Sequence, residues 1–327
     1  VLGVTLIMNR IEKETFQNLI ETNKRICEYL NIPFGVFDVC ELFRKKVIEE
    51  FVISYLTGKT PNPCVNCNRF VKFDFLLSKA KELGATKIAT GHYAQNIYDS
   101  QNKLWLLKKA VDRQKDQSYF LYTLNQDLLP HILFPLGNFT KNEVRKIAQE
   151  KGLSNLVRPE SQDICFIFGG DYIKFIKEQF NYLPNPGPIV DQQGKTIGYH
   201  KGIIYYTIGQ RKRIGISNKK PLYVVKIDYE NNVIVVGEAI DVYKKSFVVS
   251  NVNFIYLNEL KTPLRVYAKI RNTHEPALAT LIPENNYLKV IFDKPQWAIT
   301  PGQAAVFYED DLVLGGGIIV ECLNGET

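Results

Sequence analysis

Three cysteines are the residues of this sequence best suited to chemistry. Cys64 and Cys67 form a Cys-x-x-Cys pair in T-P-N-P-C-V-N-C-N-R-F-V-K-F, and Cys165 follows much later in S-Q-D-I-C-F-I. The six cysteines are unevenly spaced, unlike the even framework of small disulfide-rich secreted proteins. This pattern favours thiolate chemistry in a reducing compartment, and we expect a cytoplasmic protein.

The Cys-x-x-Cys pair has three interpretations. A structural zinc site needs four ligands, and the sequence has no second such pair and only four scattered histidines. A redox pair would open a helix directly after a strand, whereas this pair follows a Pro-rich stretch. We therefore expect Cys67 to be an exposed nucleophile whose pKa is lowered by Arg69 and Lys72. Metal or iron–sulfur binding and a purely structural role stay open as alternatives.

The first part of the chain alternates between strands and helices. The predicted strands are Val1–Ile7, Pro33–Val39 and Lys87–Thr90, and the predicted helices are Glu12–Leu30, Glu41–Leu56 and Phe73–Leu83. Such alternation predicts an α/β domain with a doubly wound parallel sheet. Ligands bind beyond the carboxyl ends of strands in these sheets. Gly91 follows such an end, and its missing side chain lets the backbone approach a nucleotide.

The pattern changes after the Pro- and Gly-rich stretch from Pro184 to Pro188. Short strands with period-two alternation then follow one another, which is typical of a small closed β-barrel. We predict three domains: a nucleotide-binding domain over residues 1–182, a β-rich middle domain over 183–243 and a C-terminal β-barrel over 244–327.

Composition narrows the class of partner. The 327 residues carry a formal net charge of +7, and 45% of them are apolar. The longest apolar runs reach only strand length, so no membrane span is predicted. The positive charge favours a polyanionic partner, and the run Gln210-Arg211-Lys212-Arg213 is a candidate phosphate contact.

The segments quoted above resemble the bacterial tRNA-specific 2-thiouridylase family. The resemblance continues, in order along nearly the whole chain, through A-T-G-H-Y, K-D-Q-S-Y-F-L-Y-T-L, Y-T-I-G-Q-R-K-R-I-G-I, T-P-G-Q-A-A-V-F-Y and L-G-G-G-I-I. It implies an adenine nucleotide hydrolase-like first domain and ATP-dependent 2-thiolation of the wobble uridine in tRNA, with ATP and Mg²⁺ as cofactors. The implied partners are tRNA, with Lys, Glu and Gln acceptors, and a cysteine desulfurase or sulfur-relay protein.

The resemblance also implies roles for individual residues. Cys165 would carry a persulfide, and Cys67 would be the nucleophile that releases sulfide or closes a transient disulfide. Leu6 and Gly91 would contact ATP. The target base would lie against Asn62, Pro63 and Cys64, since chemistry on a base requires its removal from the stack. The implied tRNA contacts are His92, Lys115, Asp116, Gln117, Arg271, Asn272 and Gln303.

One departure from the family pattern concerns the N-terminus. The family opens with a strand and an S-G-G-x-D-S phosphate loop, whereas this sequence begins at what looks like the second strand. We expect that about one βα unit precedes Val1; the alternative is a catalytically silent tRNA-binding protein. A further alternative is a cluster-dependent sulfurtransferase in which Cys64, Cys67 and Cys165 hold an iron–sulfur cluster with one open iron.

Overall fold

The first domain is built from parallel strands joined by helices. The structure is a computed structural model, and it describes residues 1–9, 13–153 and 164–323. Strand β1 (Gly3–Ile7) runs parallel to β2 (Phe34–Asp38), and helix α1 (Lys13–Tyr29) connects them. A second parallel pair joins β3 (Ile88–Ala89) to β6 (Ile132–Leu133). The predicted doubly wound α/β architecture is confirmed.

Two long helices cross this domain. Helix α2 runs through Cys40–Phe43, Arg44–Ile48 and Glu49–Leu56, and helix α3 runs through Pro63–Asn66, Cys67–Phe75 and Leu76–Glu82. The middle segment of each helix is wound more loosely, with π-helical geometry. Within the described ranges, no helix is long and apolar enough to cross a membrane.

The predicted start of α3 at Phe73 is wrong. The helix begins ten residues earlier at Pro63, so Cys64 and Cys67 lie within its first turns and not in a preceding loop. Proline is well tolerated there, because the first N–H groups of a helix have no partner within it and the fixed φ of the ring suits a helix. The Pro-rich stretch is therefore the start signal of the helix that carries two of the three cysteines.

The middle domain is a four-stranded sheet in the order β8-β7-β10-β9. A helix precedes it, α5 (Tyr172–Gln179), which follows α4 (Lys141–Glu150) along the chain. Strands β9 and β10 pair antiparallel as a hairpin. The strands are β7 (Gly187–Val190), β8 (Thr196–His200), β9 (Tyr223–Asp228) and β10 (Val233–Gly237).

The C-terminal domain is a closed six-stranded barrel, as predicted, preceded by the single-turn helix α6 (Ala239–Val242). The strand order is β11-β14-β13-β12-β15-β16, and β16 pairs back with β11. Apolar side chains from all six strands fill the interior. The strands are β11 (Tyr243–Phe254), β12 (Leu264–Lys269), β13 (Ala277–Glu284), β14 (Tyr287–Trp297), β15 (Ala304–Glu309) and β16 (Leu312–Cys322).

The barrel and the first domain share a sheet and a core. The hairpin of β4 (Ala94–Asp99) and β5 (Leu104–Lys109) adds to the barrel through β5 and β16. Tyr122 of the first domain and Tyr308 of the barrel lie in one buried cluster. This continuous packing gives the barrel a fixed position against the helix that carries the cysteines.

Candidate active site

Cys67 is a buried thiol at the end of the first parallel strand pair. Its side chain is 6% exposed, and its Sγ lies 3.9 Å from the Sδ of Met8, just beyond β1. Burial raises the pKa of Cys67 to about 12, the positive charge of Lys72 lowers it, and the nearby thiols of Cys165 and Cys64 raise it further. The predictions of an exposed Cys67 and of a lowered pKa are both wrong, because loss of solvation outweighs the attraction of Lys72.

The side chain of Arg69 bonds to neighbouring segments and not to the thiol of Cys67. Its Nε donates to Asp74 Oδ2 at 3.2 Å, and its Nη1 donates to the carbonyl oxygen of Thr123 at 2.6 Å. The neighbouring Asn68 donates from Nδ2 to the carbonyl of Phe120 at 3.1 Å. These bonds hold α3 against the segment around residues 118–124.

Cys64, Cys67 and Cys165 form one group, called here the thiol cluster. Each of Cys64 and Cys165 interacts electrostatically with Cys67, and Cys64 also raises the pKa of Cys165. Burial is the larger cause of the raised pKa values of Cys64 and Cys165, although both residues keep exposed surface. The structure therefore brings together the two cysteines with predicted sulfur chemistry, and all three are free thiols.

Cys165 is held by its neighbours in the chain. It lies in a turn, not in a strand, and the next residue, Phe166, is buried. The Phe166 ring packs edge-on against Phe43 and Phe51 of α2. This anchor holds the exposed Cys165 within electrostatic range of Cys67, although the residues that precede it from 154 to 163 lie outside the described part.

A metal site gains no support from the described residues. Among them, no group of three or more His, Cys, Asp or Glu side chains is placed to hold a metal ion.

The predicted base-contacting residues lie where α3 starts, and the barrel holds this start in place. Gln303 donates from Nε2 to the carbonyl oxygens of Thr60 and Pro61, at 3.0 and 3.3 Å. The N–H of Thr60 donates to the carbonyl of Pro301 at 2.9 Å. A cavity of about 230 Å³ between this loop and the barrel is lined by Asn62 and Pro63, but not by the thiol cluster.

The A-T-G-H-Y turn and the K-D-Q run meet in space. Gln117 accepts from the N–H of Tyr93 through Oε1 at 3.0 Å and donates its own N–H to the Tyr93 carbonyl at 2.8 Å. Asp116 accepts from the N–H of Ala110 and from the Ser118 hydroxyl. The family resemblance implied tRNA contacts in both segments, and in the structure the two segments are hydrogen-bonded to each other.

His92 is a buried, neutral imidazole in this conformation. Its Nδ1 lies 2.9 Å from Thr90 Oγ1 and its Nε2 lies 3.2 Å from Asn68 Oδ1. Burial lowers the pKa of His92 to about 3, with Lys72 adding to the shift. The imidazole therefore offers no charge for phosphate binding at neutral pH, and the predicted tRNA contact at His92 stays a prediction.

The other predicted contact residues described next lie in the first domain and in the barrel. Leu6 is half-buried on β1, and Gly91 follows β3 with open space where a side chain would lie, apart from Leu136 at 3.8 Å. Arg271 is half-buried and donates to the carbonyl of Trp297 at 2.9 Å, and Asn272 is exposed beside it.

Sequence reasoning missed the residues that position the thiols. Met8 contacts Cys67, Phe166 anchors the Cys165 turn, and Pro301 with Gln303 holds the loop before Pro63. The sequence signal for this contact was the pair of Thr-Pro loops, T-P-N-P and T-P-G-Q. Each is typical of an isolated turn, but in the structure the two loops are hydrogen-bonded to each other.

Comparison with known proteins gives the same three parts. Residues 5–169 match the family model described as tRNA methyl transferase HUP domain, and residues 173–238 match tRNA methyl transferase PRC-barrel domain. Residues 244–319 match the Aminomethyltransferase beta-barrel domain.

Curated relatives cover nearly the whole chain. The tRNA-specific 2-thiouridylase MnmA of Acetivibrio thermocellus is 49% identical over 301 residues, which are 92% of this chain and 84% of the relative. The tRNA-specific 2-thiouridylase MnmA 1 of Caldanaerobacter subterraneus is 51% identical over 92% of this chain and 83% of its own. The MnmA of Clostridioides difficile is 45% identical over 93% and 84%. With this coverage and identity, the chain belongs to the tRNA-specific 2-thiouridylase family.

Proposed function

We propose that this chain is a tRNA-uridine 2-sulfurtransferase that thiolates the wobble uridine of tRNA in an ATP-dependent reaction. The observation that carries the proposal is the thiol cluster, which pairs an exposed Cys165 with a buried Cys67. Sulfur transfer needs one thiol to take up sulfur and a second to release it, whereas the methyl transfer in the family description needs neither.

ATP fits the first domain as the activating substrate. Leu6 lies near the carboxyl end of β1, and Gly91 follows the carboxyl end of β3, where such sheets bind nucleotides. The open space beside Gly91 admits a ligand close to the backbone. ATP would supply the group that turns the 2-oxygen of uracil into a leaving group, with Mg²⁺ on its phosphates.

The two cysteines divide the sulfur chemistry between them. The terminal sulfur of a persulfide on Cys165 attacks C2 of the activated uracil, and as the C–S bond forms the 2-oxygen leaves bonded to the group supplied by ATP. The Cys67 thiolate then attacks the Cys165 sulfur, which forms a Cys67–Cys165 disulfide and leaves the outer sulfur on the uridine. A thiol reductant restores both cysteines. The exposure of Cys165 suits loading by a cysteine desulfurase or sulfur-relay protein, which are the partners we propose besides tRNA.

The raised pKa of Cys67 keeps its side chain in the protonated, less reactive thiol form. Burial raises the pKa of Cys67 to about 12, so the thiol is protonated at pH 7. Since the thiolate is the nucleophile, a protonated Cys67 attacks a newly loaded persulfide on Cys165 slowly. Lys72 supplies the positive charge that stabilises the thiolate when the reaction requires it.

The finer assignments belong to the same proposal. The acceptors would be the Lys, Glu and Gln tRNAs, and the domains would divide near residues 182 and 243. The silent tRNA-binding alternative is not favoured, because it leaves the thiol cluster without a use. The cluster-dependent alternative has no support among the described residues, because none of them form a group that could hold a metal ion.

The test is mass analysis of tRNA nucleosides from cells in which the gene is deleted and then restored. We expect 2-thiouridine to disappear on deletion and to return with the wild-type gene, but not with Cys165→Ser. Return of 2-thiouridine with Cys165→Ser, or its persistence on deletion, would contradict the proposal.

A further inference from the structure

A cleft of about 1270 Å³ separates α5 from the middle domain, and its walls are rich in cations. A second cavity of about 500 Å³ shares Arg213 and Ile214 with it and adds Arg211 and Lys219. We call the two together the basic cleft. The charged residues that line its larger part are Asp171, Lys174, Lys177, Glu178, Lys201, Lys212 and Arg213.

The positive charges of the cleft are largely uncompensated. Lys174 pairs with Glu178 at 3.9 Å, and the Asp171 carboxylate caps α5 by accepting backbone N–H groups. Within the described part of the chain, Lys177, Lys201 and the basic residues 211–213 make no ion pair, and all are exposed. Like charges held together repel one another, so an anionic ligand would stabilise this arrangement.

The loop that presents the cations is preorganised. Gln210 accepts from the N–H of Thr207 at 3.1 Å and donates to the carbonyl of Lys212 at 3.0 Å. Backbone bonds to Val224 hold the same loop on β9. Arg213 has a φ of +64°, a conformation unfavourable for residues other than glycine and common at ligand sites. A rigid cationic loop loses little conformational entropy when it binds a ligand.

A large aromatic ring also faces the cleft. Tyr199 lies on β8, the edge strand of the middle sheet, and is 76% exposed. Tyr205 lines the same wall. Exposed aromatic rings beside a basic groove are the combination with which proteins bind single-stranded nucleic acid, because bases stack on the rings while cations hold the phosphates. An acidic protein would use the cations but not the ring.

We propose that the basic cleft binds the phosphate backbone of an unpaired tRNA segment, with one base stacked on Tyr199. The wall of the cleft includes Gly169, four residues after Cys165, and four residues of chain span at most about 14 Å, so RNA bound there passes near the turn proposed to carry the persulfide. The inference rests on the proposed function and names a part of the tRNA surface that it requires.

The experiment measures tRNA binding by the full chain at salt concentrations between about 50 and 200 mM. The cleft variant combines Lys177→Gln, Lys201→Gln and Lys212→Gln. The matched control removes three lysine charges that are already ion-paired, by Lys24→Gln, Lys45→Gln and Lys79→Gln. We expect the slope of log K against log salt to flatten by about two units in the cleft variant and to stay unchanged in the control.

Substitutions of the ring test the stacking. Tyr199→Ala should weaken tRNA binding about tenfold, whereas Tyr199→Phe should bind like the wild type because it keeps the ring. A wild-type slope in the cleft variant, or equal losses in both triple variants, would overturn the assignment. Loss of poly-glutamate binding with an intact tRNA slope would assign the cleft to an acidic protein instead. Failure of the wild-type chain to bind tRNA would defeat the proposed function itself.

Discussion

Gln303 of the barrel donates two hydrogen bonds to the loop before the cysteine helix, to Thr60 and Pro61, across sequence separations of 243 and 242 residues. Gly302 allows this close approach, because a Cβ there would lie 2.9 Å from the Thr60 carbonyl oxygen and its φ of +92° excludes most other residues. The barrel therefore fixes the position of the residues proposed to receive the target base, in addition to any contact with tRNA.

Loss of the Gln303 amide should slow turnover more than it weakens tRNA binding. Gln303→Ala leaves two loop carbonyls without their partner, and we expect the thiolation rate to fall about tenfold with little change in the Kd for tRNA. Gln303→Glu, of equal size but unable to donate, should behave alike. Gln296→Ala is the matched control, because its amide bonds only within the barrel. A large rise in Kd with an unchanged rate would favour the predicted direct tRNA contact at Gln303.

The three thiols should respond differently to substitution. Cys165→Ser should block sulfur loading from a desulfurase, and Cys67→Ser should allow loading but stop product formation. Cys64→Ser should keep most of the activity, since it only borders the target base. Transfer of radiolabelled sulfur to tRNA by full-length enzyme separates these steps. Equal loss of activity in all three variants, together with bound iron in the parent protein, would support a cluster instead.

The reactivity of Cys67 should depend on pH in an unusual range. Because alkylation requires the thiolate and the folded pKa is about 12, its rate should rise about tenfold per pH unit from pH 8 to pH 11 without a plateau. In the denatured chain the rate should level off near the usual pKa of about 8.5. Lys72→Met should slow the reaction further, since it removes the charge that lowers the pKa. Peptide mapping after timed iodoacetamide pulses measures each site, and a plateau near pH 8 in the folded protein would contradict this assignment.

Arg271 should contribute one phosphate contact. Arg271→Ala should weaken binding to different tRNAs alike and flatten the salt slope by roughly one unit. One of its guanidinium nitrogens donates to Trp297 and no further bond of the group is seen among the described residues, so the proposed phosphate contact would form in a fixed orientation. Arg271→Lys keeps the charge and should keep the slope. If Arg271→Ala leaves the slope unchanged, the residue does not belong to the tRNA interface.

Local patterns in the sequence determined the element types and the order of the domains. The alternation of strands and helices predicted the parallel sheet, and period-two alternation after residue 188 predicted the barrel, because each period places apolar side chains on one face. Thiol chemistry pointed to Cys64, Cys67 and Cys165, and the family resemblance implied the sulfur-transfer roles of Cys67 and Cys165. Element type and residue chemistry depend only on a residue and its neighbours within a few positions, so the sequence alone contains this information.

The tertiary structure alone decided how those cysteines behave. Burial of Cys67 against Met8 reversed the predicted direction of its pKa shift, because solvation depends on atoms contributed by distant segments. The pairing of β5 with β16 and the bonds from Gln303 join parts of the chain that have no local signal for each other. Residue types in the sequence indicated which chemistry was available, but only the packing of remote segments determined which thiol is exposed, which is buried and what holds them together.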